Sequence, residues 1–327
     1  MKQIVLAAPR ELIARQVPRP KAKEGEALVR IRQIGVCGSD FHAYAGDHPA
    51  YTYPRVLGHE LACEIVDIPD NRLGLRVGDR CAIEPYISCG KCHPCVMGRT
   101  NCCEQLRLFG VHVDGGMQAF LSVPLSLLHK SEVLSVDQLA LVETLGIGAH
   151  AVARSGLGSG ETVLVIGAGP IGLAVAQFAK VAGGIVRIIE KSEWRRDFAK
   201  YLGFPILTGP DNELADVVFD ATGNSASMAA SLNFVASAGR LVFVGLTREV
   251  IAIDDALLHK REVTLYSSRN SAGQFARIIK LIESNQIDIR PWITDRLVLS
   301  DVPVRLIDLA SRSNFMKALI EVADRDT

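Results

Sequence analysis

The chain has 327 residues, enough for two domains of about 150 residues each. Apolar residues make up 48% and charged residues 22%, the balance of a globular protein with a sizeable core, which excludes disordered, collagenous and disulfide-dependent small folds. Lysine plus arginine and aspartate plus glutamate both number 36, so the composition offers no electrostatic footprint for nucleic acid or an anionic membrane.

Met1 to Leu6 read as a first strand, without the long apolar core and small-residue cleavage site of a secretory leader. Residues 1–140 read as short β segments, among them 27–33 and 61–67, broken by turn signals at 18–20, 69–74 and 78–79. The pattern then changes. Strand 161–166, helix 171–182 stopped by Gly183 and Gly184, strand 185–189 and helix 193–202 follow in order. Strands 205–208 and 217–220, helix 227–237 and strand 240–245 continue the alternation, which predicts a parallel, doubly wound α/β sheet. A helix over 274–284 opens a mixed tail. Residues 162–179 carry no charge, nearly the ~20 residues of a membrane span. Gly167, Gly169, Pro170 and Gly172 in their middle predict a strand, a tight turn and a buried helix instead, hence a soluble, cytoplasmic protein.

One connection is short. In a sheet of order 3-2-1-4-5-6 the chain must cross from the strand ending near Thr208 to the strand beginning near Asp216. Three strand spacings span ~14–15 Å, and the seven residues 209–215 reach ~23–25 Å when extended. The crossing is feasible without the usual helix, so a loop with at most one helical turn and a bare sheet margin beside the adenosine pocket are expected.

Gly167-Ala168-Gly169-Pro170-Ile171-Gly172 matches G-x-G-x-x-G between an apolar strand and an apolar helix. The first glycine allows the turn and the second the approach of a pyrophosphate. The third permits close helix–strand packing, and the helix N-terminus faces the phosphates. Glu190, at the end of the next strand, can accept hydrogen bonds from the adenosine-ribose hydroxyls and should repel a 2′-phosphate. That favours NAD over NADP, although Lys191, Arg195 and Arg196 follow closely.

Five of the eight cysteines lie within fifteen residues, which in a reducing compartment points to metal before disulfides. Cys89, Cys92, Cys95 and Cys103 supply four thiolates for a closed, structural zinc site; spacing alone leaves Cys102 as a substitute for Cys103. A second, discontinuous set comprises Cys37, followed by Gly38-Ser39-Asp40, and His59-Glu60 after Gly58. One cysteine, one histidine and one carboxylate with water make an open site able to act as a Lewis acid.

Cys37-Gly38-Ser39-Asp40-x-His42, Gly58-His59-Glu60, the four-cysteine lobe and the glycine motif occur in the order seen in zinc-dependent medium-chain alcohol dehydrogenases, which the chain resembles over essentially its whole length. It looks most like the polyol and threonine dehydrogenase branch, and segments 53–60 and 110–116 look like enzymes acting on sugar acids, such as L-galactonate-type 5-dehydrogenases. The resemblance implies a GroES-like catalytic domain over 1–141 and 273–327 and a Rossmann NAD-binding domain over 142–272. It further implies that Cys37, His59 and Glu60 hold a catalytic zinc, while Glu143 holds the water on that zinc or takes its fourth position. Ser39 and His42 would relay the alcohol proton toward solvent. Ile171, Glu190 and Arg195 would contact the coenzyme, Val244, Gly245, Leu246, Ser267 and Ser268 would line the nicotinamide, and Arg269 would meet substrate hydroxyls. The expected reaction is oxidation of a secondary alcohol of a polyol, sugar or sugar acid, in a homodimer or homotetramer. L-Threonine or a simple secondary alcohol is the alternative substrate, and a non-catalytic nucleotide sensor the alternative function. Cys63 stands where the family usually has glycine, Thr144 where it has proline, and Ala43 where a tyrosine is expected, with Tyr44 and Tyr51 as replacements.

Overall fold

A computed structural model describes residues 1–207, 213–323 and 326. It divides the chain into two compact units, one formed by Met1–Glu143 with Phe275–Thr327 and one by Thr144–Gln274.

In the second unit six strands, counted among the described residues, run parallel in the order Ile206–Leu207, Ile185–Ile189, Thr162–Ile166, Ala215–Asp220, Val235–Phe243, Thr264–Ser267. This is the doubly wound order 3-2-1-4-5-6. Val163, Val165, Val217 and Val218 are fully buried, as central strands covered on both faces require. The uncharged run resolves into strand Thr162–Ile166 and helix Pro170–Val181. No helix among the described residues is long and apolar enough to cross a membrane.

The stretch expected as helix 227–237 and strand 240–245 is organised differently. Asn224 caps the helix by accepting from the Ser227 amide, so it spans Ser225–Ala230 and passes into a 3₁₀ turn at Ser231–Phe234. The following strand already begins at Val235 and ends at Phe243. Ala238, at φ 60, and a register shift between Ala215 and Val217 bend it midway. The composition of 235–239, Val-Ala-Ser-Ala-Gly, hid this, since alanine, serine and glycine carry little strand signal. The short crossing lies only partly in view. Residues 208–212 are outside the described residues, and Glu213 and Leu214 carry no regular secondary structure.

In the first unit the strands Ile293–Val298, Lys317–Glu321, Glu26–Gly35, Glu60–Asp67, Arg80–Ile83 and Leu128–Lys130 form a mixed sheet in that order, and Phe120–Pro124 also pairs with Glu26–Gly35. Only the first pair is parallel. The C-terminal strand Lys317–Glu321 thus lies next to a strand from the first thirty-five residues. Helix Phe275–Glu283 buries Phe275, Ile278, Ile279 and Ile282, the i, i+3, i+4, i+7 stripe of an amphipathic helix.

Candidate active site

Cys37 ends the loop before helix Gly38–Ala45, whose Asp40 accepts from the Cys37 amide at 2.9 Å and so fixes the start of the helix. Glu60 opens strand Glu60–Asp67, and its partner across the ladder is Gly35. A Cβ at Gly35 would stand 2.1 Å from Glu60 Oε2, so only glycine leaves room for this carboxylate. The ligand atoms of Cys37, His59 and Glu60 lie within 4.8 Å of one another. Glu60 Oε2 is buried without a hydrogen-bond partner, an arrangement whose desolvation cost a bound cation offsets. Thiolate, imidazole and carboxylate are also the donor types that zinc takes at open sites. The residues therefore fit the ion. Asp40, fully buried, places Oδ1 4.0 Å from His59 Nδ1.

Two further side chains reach this centre. Lys317, 2% exposed, donates from Nζ to Glu60 and, at 3.1 Å, to the Val36 carbonyl. Burial drives its ammonium pKa down, but the negative charges of Glu60, Cys37 and Glu143 together hold it above the ordinary value. Glu143, 5% exposed, accepts a hydrogen bond from the buried Tyr86 hydroxyl, and burial pushes its carboxyl above the ordinary value. His42 is exposed, and its Nδ1 lies 3.0 Å from Asp47 Oδ1. Nothing local in the sequence marks Lys317, which is 257 residues from Glu60. Asp40 carried a weak signal, because an aspartate three residues after a helix start is a cap pattern.

Cys89, Cys92, Cys95 and Cys103 form the other gathering, again within 4.8 Å, while Cys102 is exposed. Cys92 Sγ lies 3.4 Å from Cys95 Sγ and 3.8 Å from Cys103 Sγ. A tetrahedron with Zn–S of about 2.3 Å has edges of about 3.8 Å, so this lobe is close to the shape of a closed zinc site. Amides of Lys91 and Cys92 hold the Cys89 thiol down at about 6, which favours the thiolate that a metal needs.

In the second unit Gly167 takes φ 98 at the turn, and a Cβ at Gly172 would meet the Gly167 carbonyl oxygen at 1.8 Å. Pro170 and Ile171 open the helix, with Gly169 as its cap. A cavity of about 460 Å³ beside this turn is lined by Gly167, Gly169, Glu190, Lys191 and Arg195. Glu190 is more engaged than expected. Its Oε2 accepts from the Ala168 amide and its Oε1 from the Ser192 amide, each at 2.7 Å, so the carboxylate braces the glycine turn while each oxygen keeps a free lone pair. Arg196 donates to the Lys191 carbonyl at 2.7 Å and does not line the cavity. A second cavity, of about 560 Å³, is lined by Val244, Gly245, Leu246, Ser267, Ser268 and Arg269 among others. The amides of Val244 and Gly245 both donate to the Asp220 carbonyl, which sets this loop at the end of its strand.

Residues 23–133 match the family model described as alcohol dehydrogenase GroES-like domain, and residues 170–284 that of zinc-binding dehydrogenase. L-galactonate-5-dehydrogenase of Escherichia coli strain K12 is 38% identical over 310 residues, covering 90% of this chain and 91% of its own. Among solved structures, a putative zinc-binding dehydrogenase of Sinorhizobium meliloti 1021 bound to NADP superposes with a TM-score of 0.91 at 27% identity, covering 98% of this chain and 99% of its own. A short chain alcohol dehydrogenase of Escherichia coli CFT073 complexed with NADH gives 0.91 at 28%, with the same coverage.

Proposed function

The chain belongs to the zinc-dependent medium-chain alcohol dehydrogenases, and from that premise we propose the duties of its side chains and the class of its substrate. It is an oxidoreductase that moves a hydride between a secondary alcohol and a nicotinamide dinucleotide. The observation that carries the reading is the gathering of Cys37, His59 and Glu60 around one point, with glycine at 35 making the space.

Cys37, His59 and Glu60 hold the catalytic zinc, and Cys89, Cys92, Cys95 and Cys103 the structural one. When bound, zinc supplies Lewis acidity toward the substrate hydroxyl and the nicotinamide supplies the hydride acceptor. Ser39 Oγ takes the hydroxyl proton and passes it to His42, whose Nδ1–H donates to Asp47 and leaves Nε2 to accept. His42 is exposed, so the proton leaves from there to solvent. Glu143 orients water or the substrate hydroxyl. Gly167, Gly169, Pro170, Ile171 and Gly172 form the pyrophosphate turn, Glu190 accepts from the ribose hydroxyls, and Arg195 covers the adenosine side. Val244, Gly245, Leu246, Ser267 and Ser268 flank the nicotinamide, and Arg269 meets substrate hydroxyls or a carboxylate.

The first unit is read as the catalytic domain and the second as the nucleotide domain. NAD is the preferred coenzyme, because Glu190 stands where a 2′-phosphate would sit and Arg196 is occupied by carbonyls. A sugar acid or polyol is the substrate class, supported by the likeness to L-galactonate-5-dehydrogenase. A homodimer or homotetramer is supported by the exposed strand Thr264–Ser267 at the sheet edge. The cytoplasm is supported by eight cysteines without a disulfide. Assaying NADH and NADPH formation over a panel of polyols and aldonates tests the reading. Turnover confined to L-threonine or simple alcohols would displace the substrate class.

A further inference from the structure

Two buried carboxylates belong to the catalytic centre, yet an open site of Cys37, His59 and one carboxylate has room for only one of them beside water or substrate. The fold treats the two differently. Glu60 gathers with Cys37 and His59, has Lys317 on Oε1, and leaves Oε2 without a partner. Glu143 stands outside that gathering, and its Oε1 accepts the Tyr86 hydroxyl. Tyr86 is 6% exposed and lies on the two-residue strand Tyr86–Ile87, which pairs with Arg107–Leu108. These two short strands are the two ends of the four-cysteine lobe. The lobe therefore closes the base from which Tyr86 reaches Glu143.

Resting on the zinc reading above, we propose that Tyr86 is a positioning residue: its hydroxyl holds Glu143 off the metal and reserves that carboxylate for water or the substrate hydroxyl. The phenol has one hydrogen to donate, and donating it to Glu143 Oε1 pins the carboxylate in one orientation without adding a charge. Lys317 fixes Glu60 from the other side, so each carboxylate has its own clamp and the two do not exchange places. Without the Tyr86 hydroxyl, Glu143 loses this buried donor and turns to the strongest electrophile within reach, closing the open position.

Cobalt(II) substituted into the full chain reads this directly. The wild-type spectrum minus that of Cys37→Ser isolates the three-ligand site from the four-cysteine site. Tyr86→Phe, which keeps the ring and its packing, is expected to weaken the visible ligand-field bands as coordination rises, and to slow chelator extraction of that metal by about tenfold. Tyr86→Phe combined with Glu143→Gln is expected to restore the wild-type bands. Unchanged bands and extraction in Tyr86→Phe would overturn the proposal, as would a change that Glu143→Gln does not reverse. A wild-type difference spectrum with no thiolate-to-cobalt band would overturn the metal reading itself, and the proposal with it.

Discussion

The proposed function gives Glu190 two duties, bracing the glycine turn and accepting from the ribose. Its oxygens accept from the amides of Ala168 and Ser192, and the residue lines a cavity together with Lys191 and Arg195. Glu190→Ala removes hydrogen bonds to a charged group, each worth about 1.5–3 kcal/mol. The KM for NAD should therefore rise at least about tenfold, while the ratio of NADP to NAD use rises because the 2′-phosphate is no longer repelled. An unchanged ratio would mean that Glu190 only braces the turn. Lys317 poses the opposite problem, a buried cation whose removal strands a buried anion. Lys317→Met should cost the metal-free protein about 3–5 kcal/mol in urea unfolding, with Lys317→Arg much milder. A loss within about 0.5 kcal/mol, ordinary for a surface change, would show that Glu60 finds another partner. Cys37, His59 and Glu60 stood out in the sequence because metal-ligand types sat beside glycines. Lys317 and Tyr86 did not, since a lone lysine in an apolar strand and a tyrosine after a proline carry no pattern until the sheet brings them to the carboxylates.

Elements with a strong period were legible in the chain. The stripe of Phe275–Glu283 follows from periodicity, and the apolar strand Ile185–Ile189 from its length and the glycines before it. The region after Asp220 was not, because its strand opens on small residues and turns at Ala238, whose amide donates to the distant Arg261 carbonyl. Similar polar stitching joins the N-terminal ends of two parallel strands. Asp216 Oδ2 accepts from the Thr162 amide at 2.8 Å and hydroxyl at 2.7 Å, and Glu161 accepts from Arg240. The Thr162 hydrogen bonds hold the Asp216 carboxyl below its ordinary 3.8, and the Arg240 hydrogen bond holds Glu161 below its ordinary 4.5. Folded values below unfolded ones mean that this stabilisation is complete above about pH 4.5 and is lost as pH falls through the folded values. Asp216→Asn should cost about 1 kcal/mol at pH 7, given its partial exposure, and should flatten the acid limb of a stability–pH profile. An acid limb as steep as that of the wild type would place the sensitive groups elsewhere.

At the scale of the whole molecule, strand–helix alternation and the glycine motif made the nucleotide fold readable, whereas the mixed sheet of the first unit was visible only as short β segments. Its order depends on pairings between distant segments, such as Ile320 with Ile34, which no local pattern encodes. The return of Phe275–Thr327 to the first unit places Lys317 beside Glu60, so strand Lys317–Glu321 serves the candidate site as well as the sheet. The proposed function gives this chain two metal sites of different character, one closed and one open. Counting zinc per chain by plasma mass spectrometry in wild type, Cys37→Ser and Cys92→Ser, with circular dichroism of each, tests that most directly. Two zinc ions are expected in the wild type. Cys37→Ser should carry one, with its fold kept and turnover abolished, and Cys92→Ser should lose structure in the lobe. Two zinc ions retained in Cys37→Ser, or equal loss of structure in both variants, would contradict it.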